Sequence, residues 1–464
     1  MEQLTGRASR SRSASWGWGL AATFFVIYAT LSVRRHQLIL TTGYDLGIFE
    51  QAVRSYAHGR LPIAELKGPA FPLLGDHFSP ITATIAPFYR TWPSPVTLLI
   101  AQATLLAVAA VPLTRWAHRT LGAAGALVVG VGYGASWGIA QTVGFDFHEV
   151  CFAVPLLAFS LEALGQERWR AAVAWVLPLL LVKEDLGLTV AAFGGYVAYR
   201  GRRKLGFLAV AAGLAGTVLE VLVLIPAYNP SGGFAYWDKS SGSGGPPADL
   251  LLDHAIGLAK KLGTVLMLLA PTAFLALRSP LILLTVPTLA WRFTSSNEAY
   301  WDIRFHYSAV LMPIVFAAFI DALAATLRSD KSLASVMPRR GALIFSSVFT
   351  ALTLPLFPIG QLAEKNTWQA GPRITAVRHL LVRIPDGATV AASNRIVPQL
   401  TNRCTVTVFG SPNQGHPEWI VVDAATPQGW PISPGEQLRE LTGLRTNGYT
   451  TVAETLGYVL LRRV

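Results

Sequence analysis

Charge is scarce in this sequence. Only 14% of its 464 residues are Asp, Glu, Lys or Arg, 52% are hydrophobic, and the mean hydropathy is +0.43. Soluble globular domains carry about 25% charged residues. The deficit, spread over many long apolar runs, excludes an ordinary soluble protein and implies a polytopic membrane protein. Cysteine is nearly absent too. Cys151 falls in or at an apolar segment and Cys404 in a polar tail, so no disulfide is expected and no metal-site spacing exists. A Gly-rich phosphate loop of recognised form is missing. So is any internal repeat, which a transporter built from inverted halves would favour. The net charge of +12 does not point to nucleic acid, because the basic residues sit in short clusters between apolar runs, as in cytoplasmic loops.

The first apolar run, 16–33, is too long for a signal peptide and lacks a small-residue cleavage site, so it reads as a retained anchor. Each span needs about 20 apolar residues, fewer where it lines a protein cavity. Segments near 16–33, 95–114, 121–140, 150–164, 171–182, 186–199, 205–226, 262–277, 279–292, 308–326 and 341–360 meet this, giving about 11 transmembrane helices. The pair 171–182 and 186–199 reads as a short hairpin whose apex is Lys183-Glu184-Asp185, since basic residues flank both ends. Arg34, Arg35 and His36 oppose the positive-inside rule. The clusters at Arg115 to Arg119, Arg168 and Arg170, Arg200 to Lys204, Arg278, and Arg328 to Arg340 obey it. The chain therefore reads as a cytoplasmic tail (1–15), a multi-span domain (16–360) and a soluble extracytoplasmic domain (361–464). Long outer loops are expected near 34–94, 227–254 and 293–307. In the second, the run 240–247 is too rich in Gly, Ser and Pro to form a core.

After Gly360 the composition turns α/β. A helix near 373–383 precedes the turn Pro385-Asp386-Gly387. Val390-Ala391-Ala392, Thr405-Val406-Thr407-Val408-Phe409 and Trp419-Ile420-Val421-Val422 read as strands, followed by a helix near 437–444 and a terminal strand pair near 450–453 and 458–461.

In this topology five polar clusters face outward: Asp45 with Glu50; Asp76 with His77; Asp146, His148 and Glu149; Lys183, Glu184 and Asp185; and Arg304, His306 and Tyr307. Each alone has a bland reading. An acidic residue at a loop start is usually a helix cap or a solvated face. A lone histidine is more often a hydrogen-bonded core residue than a ligand. Arg304 reads equally well as a snorkelling interfacial arginine. Lys183-Glu184-Asp185 is harder to dismiss, since three charges inside an apolar stretch need partners. Together the clusters suit one task. Asp45, the first acid beyond the first span, can act as general base toward an acceptor hydroxyl. Lys183, Arg304, His77, His148 and Tyr307 can hold a phosphate leaving group, with Glu50, Asp76, Asp146, Glu184 and Asp185 in support. Metal dependence is not readable: a divalent cation is compatible with these residues and not required by them.

The runs Tyr44-Asp45-Leu46-Gly47-Ile48-Phe49-Glu50-Gln51, Gly75-Asp76-His77-Phe78-Ser79-Pro80, Asp146-Phe147-His148, Val182-Lys183-Glu184-Asp185 and Ala392-Ser393-Asn394-Arg395 resemble, in order, a family of bacterial predicted membrane proteins, the domain of unknown function 2079. The resemblance covers nearly the whole chain and implies a multi-pass protein of the bacterial plasma membrane. More remotely the architecture is similar to the polyprenyl-phosphate-dependent C-type (GT-C) glycosyltransferases. That likeness implies a catalytic acid in the first outer loop, at Asp45, and a phosphate-side lysine in a short hairpin, at Lys183. It also implies a late Arg-Tyr…Pro segment at Arg304, Tyr307 and Pro313. Departures are that paired acids are not adjacent here and that His77 is followed by one proline, Pro80, rather than two. The implied partners are membrane lipid, a polyprenyl-phosphate-linked sugar and an extracytoplasmic acceptor, with no nucleic acid. The competing class is a transporter, a flippase or a non-catalytic protein of envelope biogenesis.

Overall fold

The computed structural model describes residues 2–233, 247–328 and 339–464. Most of the run 240–247 and Lys331 thus lie outside the described residues. The molecule is mostly helical. Among the described residues five helical stretches are long and apolar enough to cross a membrane: Ser15–Gln37, Pro95–Gly144, Arg203–Tyr228, Ala255–Thr272 and His306–Thr326. Trp169–Leu181 and Leu186–Tyr199 are shorter apolar helices.

Pro95–Gly144 is too long for one crossing at 1.5 Å per residue, and it is doubled back. Gly122 adopts φ +78, a conformation open to glycine at no steric cost. Beyond it the chain returns antiparallel, so that the Tyr133 hydroxyl donates to the Leu106 carbonyl at 3.1 Å. This is the reversal the sequence places between 114 and 121. The first helix lies along both arms. Tyr28 donates to the Gly134 carbonyl (2.5 Å) and Ser32 to the Val143 carbonyl (3.2 Å). Leu186–Tyr199 and Arg203–Leu219 form a close antiparallel pair, and a Cβ on Gly194 would come within 2.6 Å of the Val210 backbone nitrogen. The stretch 279–292, expected as one helix, is broken into a 3₁₀ turn, Pro280–Thr285, and a helix, Val286–Thr294. His306–Thr326 is the central helix: 78% of its apolar window is buried, against 22% for Arg203–Tyr228 at the periphery.

The C-terminal part holds a five-stranded sheet: β1 (Thr389–Ala392), β2 (Thr405–Val408), β3 (Trp419–Asp423), β4 (Tyr449–Thr455) and β5 (Tyr458–Arg463). Their order is β2-β1-β3-β5-β4. β1 runs parallel to β2 and β3, and β5 is antiparallel to β3 and β4. The continuous apolar character of β1 and β3 suits strands covered on both faces. Helices Pro372–Leu381 and Pro434–Thr446 flank the sheet.

This sheet does not stand apart. The backbone N–H of Gly43 donates to the Asn394 carbonyl (2.8 Å), and that of Tyr44 to the Asn394 side-chain oxygen (3.0 Å). Gln51 donates to the Val406 carbonyl, and Arg54 to the carbonyls of Thr401 and Cys404. Gly43 allows this approach: a Cβ there would lie 2.5 Å from Val397 Cγ1. The Asp45 segment and the sheet therefore occupy the same face of the molecule.

Candidate functional site

Asp45 lies in a single π-turn, Gly43–Gly47, that leads into the helix Ile48–Ala57. Such turns redirect side chains and recur at functional sites. The Asp45 carboxylate is 3.1 Å from Nε2 of His148. The other ring nitrogen of His148 is 3.7 Å from Glu149, whose second oxygen is 3.1 Å from the Lys183 ammonium. Next to Lys183, Glu184 accepts from His77 Nδ1 (2.9 Å) and from the Phe78 N–H (3.3 Å). Asp76 is 3.9 Å from His77 and pairs with Lys67 at 3.0 Å. Lys67 lies over the Tyr44 ring, 5.5 Å from its centroid, beside Asp45. A nearly closed ring of acidic and basic side chains results, drawn from four segments far apart in sequence.

The ring is well supported. Gln102 donates to the Asp146 carbonyl and accepts from the His148 N–H (3.0 Å), splinting 146–148 from inside a span. Asp146 takes φ +64, which aspartate tolerates better than most residues. The His148 ring stacks on His306 with centroids 3.4 Å apart and meets the edge of Phe49. Thr42 ties two acids together: its hydroxyl is 3.0 Å from Asp45 and 2.8 Å from Asp146, and its N–H donates to Asp146 at 2.7 Å. One hydroxyl proton serves only one of the two carboxylates at a time.

Protonation follows from burial and neighbours. Burial, then the nearby Asp45 charge, pushes the Asp146 carboxyl up to about 7 against the pull of Thr42. For His148, burial alone would lower the value, but hydrogen bonding and charge from Asp45 and Glu149 outweigh it and raise it to about 9. Burial would likewise raise Glu149, yet Lys183 and His148 hold it well below the usual carboxylate range. The site thus presents a cationic imidazole and an ammonium, separated by a glutamate and flanked by Asp45. Neither Glu149 oxygen nor His148 Nε2 makes a well-aligned hydrogen bond within the described residues, which leaves capacity for a polar ligand.

Of the expected site residues, Asp45, Asp76, His77, Asp146, His148, Lys183 and Glu184 converge. Tyr307 sits at the edge, its ring 4.2 Å from His306. Three do not join. Arg304 is corrected: it is mostly exposed, and Asp302, two residues back, captures it at 2.7 Å. Glu50 points into the core toward the Tyr89 hydroxyl, and burial raises it to about 7. Asp185 lies beside Trp291 rather than in the ring. The fully buried arginine of this region is Arg292, which donates to the Tyr300 carbonyl (2.7 Å) and supports the 300–308 loop from beneath. Its signal, and that of Gln102, was a polar residue within an apolar run. Among the described residues no group of three or more His, Cys, Asp or Glu is arranged to hold a metal ion.

The chain belongs to the family of predicted membrane proteins designated DUF2079, whose model matches residues 35–460. No curated protein matches the sequence. Among solved structures, the crystal structure of ArnT from Cupriavidus metallidurans bound to undecaprenyl phosphate superposes with a TM-score of 0.60. The match covers 97% of this chain and 98% of that one at 13% sequence identity. At that identity the likeness is one of fold.

Proposed function

We propose that this DUF2079 protein is a GT-C-type membrane glycosyltransferase that moves a sugar from a polyprenyl phosphate to an extracytoplasmic acceptor. The observation that carries the reading is the charge relay from Asp45 through His148 and Glu149 to Lys183, set in an ArnT-like fold. In the proposed step an acceptor hydroxyl attacks the anomeric carbon and the bond from that carbon to the phosphate oxygen breaks, with inversion. Asp45 takes the hydroxyl proton, for which it must approach within about 2.6–3.2 Å. The lipid phosphate leaves with the electron pair, and the His148 imidazolium and Lys183 meet its growing charge. A polyprenyl donor would enter sideways from the bilayer, which suits a site half enclosed by helices.

Asp45→Asn keeps the shape and removes the base. Transfer from a radiolabelled polyprenyl-phosphate sugar by the purified variant should fall about 10²-fold or more, with donor binding largely kept. Near-normal transfer would remove Asp45 from the mechanism and leave Asp146 as the better candidate. The reading also puts this face outside the cell, together with the C-terminal sheet that docks on it. A reporter active only in the cytoplasm, fused at Val464, should be silent, and strong activity would invert the topology.

A further inference from the structure

The run Ala392-Ser393-Asn394-Arg395 has no part in the step just described. Its first residue ends β1, and Ser393, Asn394 and Arg395 border a cavity of about 270 Å³, just under the span of about 300–1,000 Å³ typical of small-molecule sites and roomy enough for one ring. The chain leaves β1 toward β2 and leaves β3 toward the β4–β5 edge, so the strand order reverses between β1 and β3. The cavity opens at the carboxyl ends of all three parallel strands, lined by Asn394, Phe409 and Asp423. Open α/β sheets bind ligands at this point of strand reversal. Its floor is 38–40, the segment leading into the Asp45 turn. Ile39 there holds φ +58, a strained value for a β-branched residue and one usually kept at functional sites.

The chemistry of the wall is specific. Arg373 and Asp423 satisfy each other at 2.7 Å, and Thr426 completes the Asp423 carboxylate, so this pair has no net demand. The Asn394 side-chain oxygen is occupied by Tyr44, but its amide nitrogen has no partner among the described residues. Gln428 spends its oxygen on the Arg395 N–H and leaves its amide nitrogen unspent. The Arg395 guanidinium has no carboxylate partner there, and the charge it feels from the span is the like charge of Arg35. Gln437 spends its amide nitrogen on the Asp423 carbonyl (2.9 Å) and keeps its oxygen as an acceptor suited to a sugar hydroxyl. The one charged group left over is cationic. Trp430 adds an aromatic wall and meets the Tyr44 ring edge-on at 4.5 Å.

We propose that this crevice binds an acidic sugar, one carrying a carboxylate or a phosphate, with its anion on Arg395 and Asn394 and its ring against Trp430. Placing that sugar on the acceptor rests on the transferase reading; its binding does not. The test is calorimetry on the full-length protein in nanodiscs with glucuronate, glucose 6-phosphate and glucose. At least one acidic sugar should bind, and glucose should bind at least ten-fold more weakly. Arg395→Gln should weaken the acidic sugar by about ten-fold or more, the scale of a charged hydrogen bond, without changing the melting temperature. Asp45→Asn should bind it as the natural protein does. No binding by either acidic sugar, equal binding of glucose, or an unaffected Arg395→Gln variant would overturn the proposal. Binding without any transferase activity would sink the transferase reading and leave the crevice standing; transfer without binding would do the reverse.

Discussion

Two buried glutamates bracket the helix Ala153–Gly165, and the protein treats them differently. Glu162, in its last turn, is 1% exposed and gripped by two arginines: Arg115, through Nε at 3.0 Å and a second nitrogen, and Arg119 at 2.5 Å. Glu149, four residues before its start and about 20 Å away, is equally buried. Its partners are a lysine and a histidine, at 3.1 and 3.7 Å, and its hydrogen bonds are poorly aligned. Arginine presents a fixed fork that saturates a carboxylate, whereas lysine is a point charge and His148 divides its two ring nitrogens between Asp45 and Glu149. Glu162 is clamped. Glu149 sits among groups that can exchange partners or protons when a ligand arrives.

The comparison can be broken in three places. The largest effect is expected at the clamp. Replacing both arginines, Arg115→Met with Arg119→Met, leaves a buried carboxylate unpaired and should cost about 3–5 kcal/mol. Accumulation and melting temperature should drop. An unaffected protein would mean that the grip on Glu162 is decoration. Next, Lys183→Met should reduce transfer about 10²–10³-fold, the scale for losing one electrostatic stabiliser, with accumulation near normal. Failure to insert would make Lys183 a second clamp and erase the contrast. The smallest effect is in pH. The His148 value is raised in the folded protein, so its contribution is fully present below the ordinary 6.5 and is lost as pH rises through about 9. Thermal stability should fall by roughly 3 kcal/mol across that window. His148→Gln should flatten the slope, and the arginine double variant should keep it.

Much of this was legible in sequence. An apolar stretch bounded by charged residues favours a helix, so Leu186–Tyr199 coincides with its expected limits, as one of the shorter apolar helices. The β-branched runs after Gly360 became β1 to β5. The convergence of Asp45, His77, His148 and Lys183 was legible because a charge at membrane depth needs a partner, and few were on offer. The misses are matters of local direction. Arg304 lies in a segment near the site, but its backbone turns on the Asp302 carboxylate (2.8 Å), which then holds the guanidinium. No periodicity reports such a turn. Glu50 follows the π-turn of Asp45, and that extra residue per turn swings it toward Tyr89. Arg292 was missed because 279–292 reads as one apolar span ending on it; the mark of the break at Thr285 is Pro287, in the first turn of the helix that follows.

The bonds from Gly43, Tyr44, Gln51 and Arg54 to residues 394–406 join the beginning of the chain to its end. The Asp45 segment leaves the ribosome some 350 residues before its anchors do. It is made early and stays unfinished while the later helices are synthesised. A nascent or truncated chain lacking the last hundred residues would carry each residue of the charge ring and still have nothing to shape the turn that aims Asp45. The geometry around Asp45 is thereby deferred until synthesis of the chain is complete.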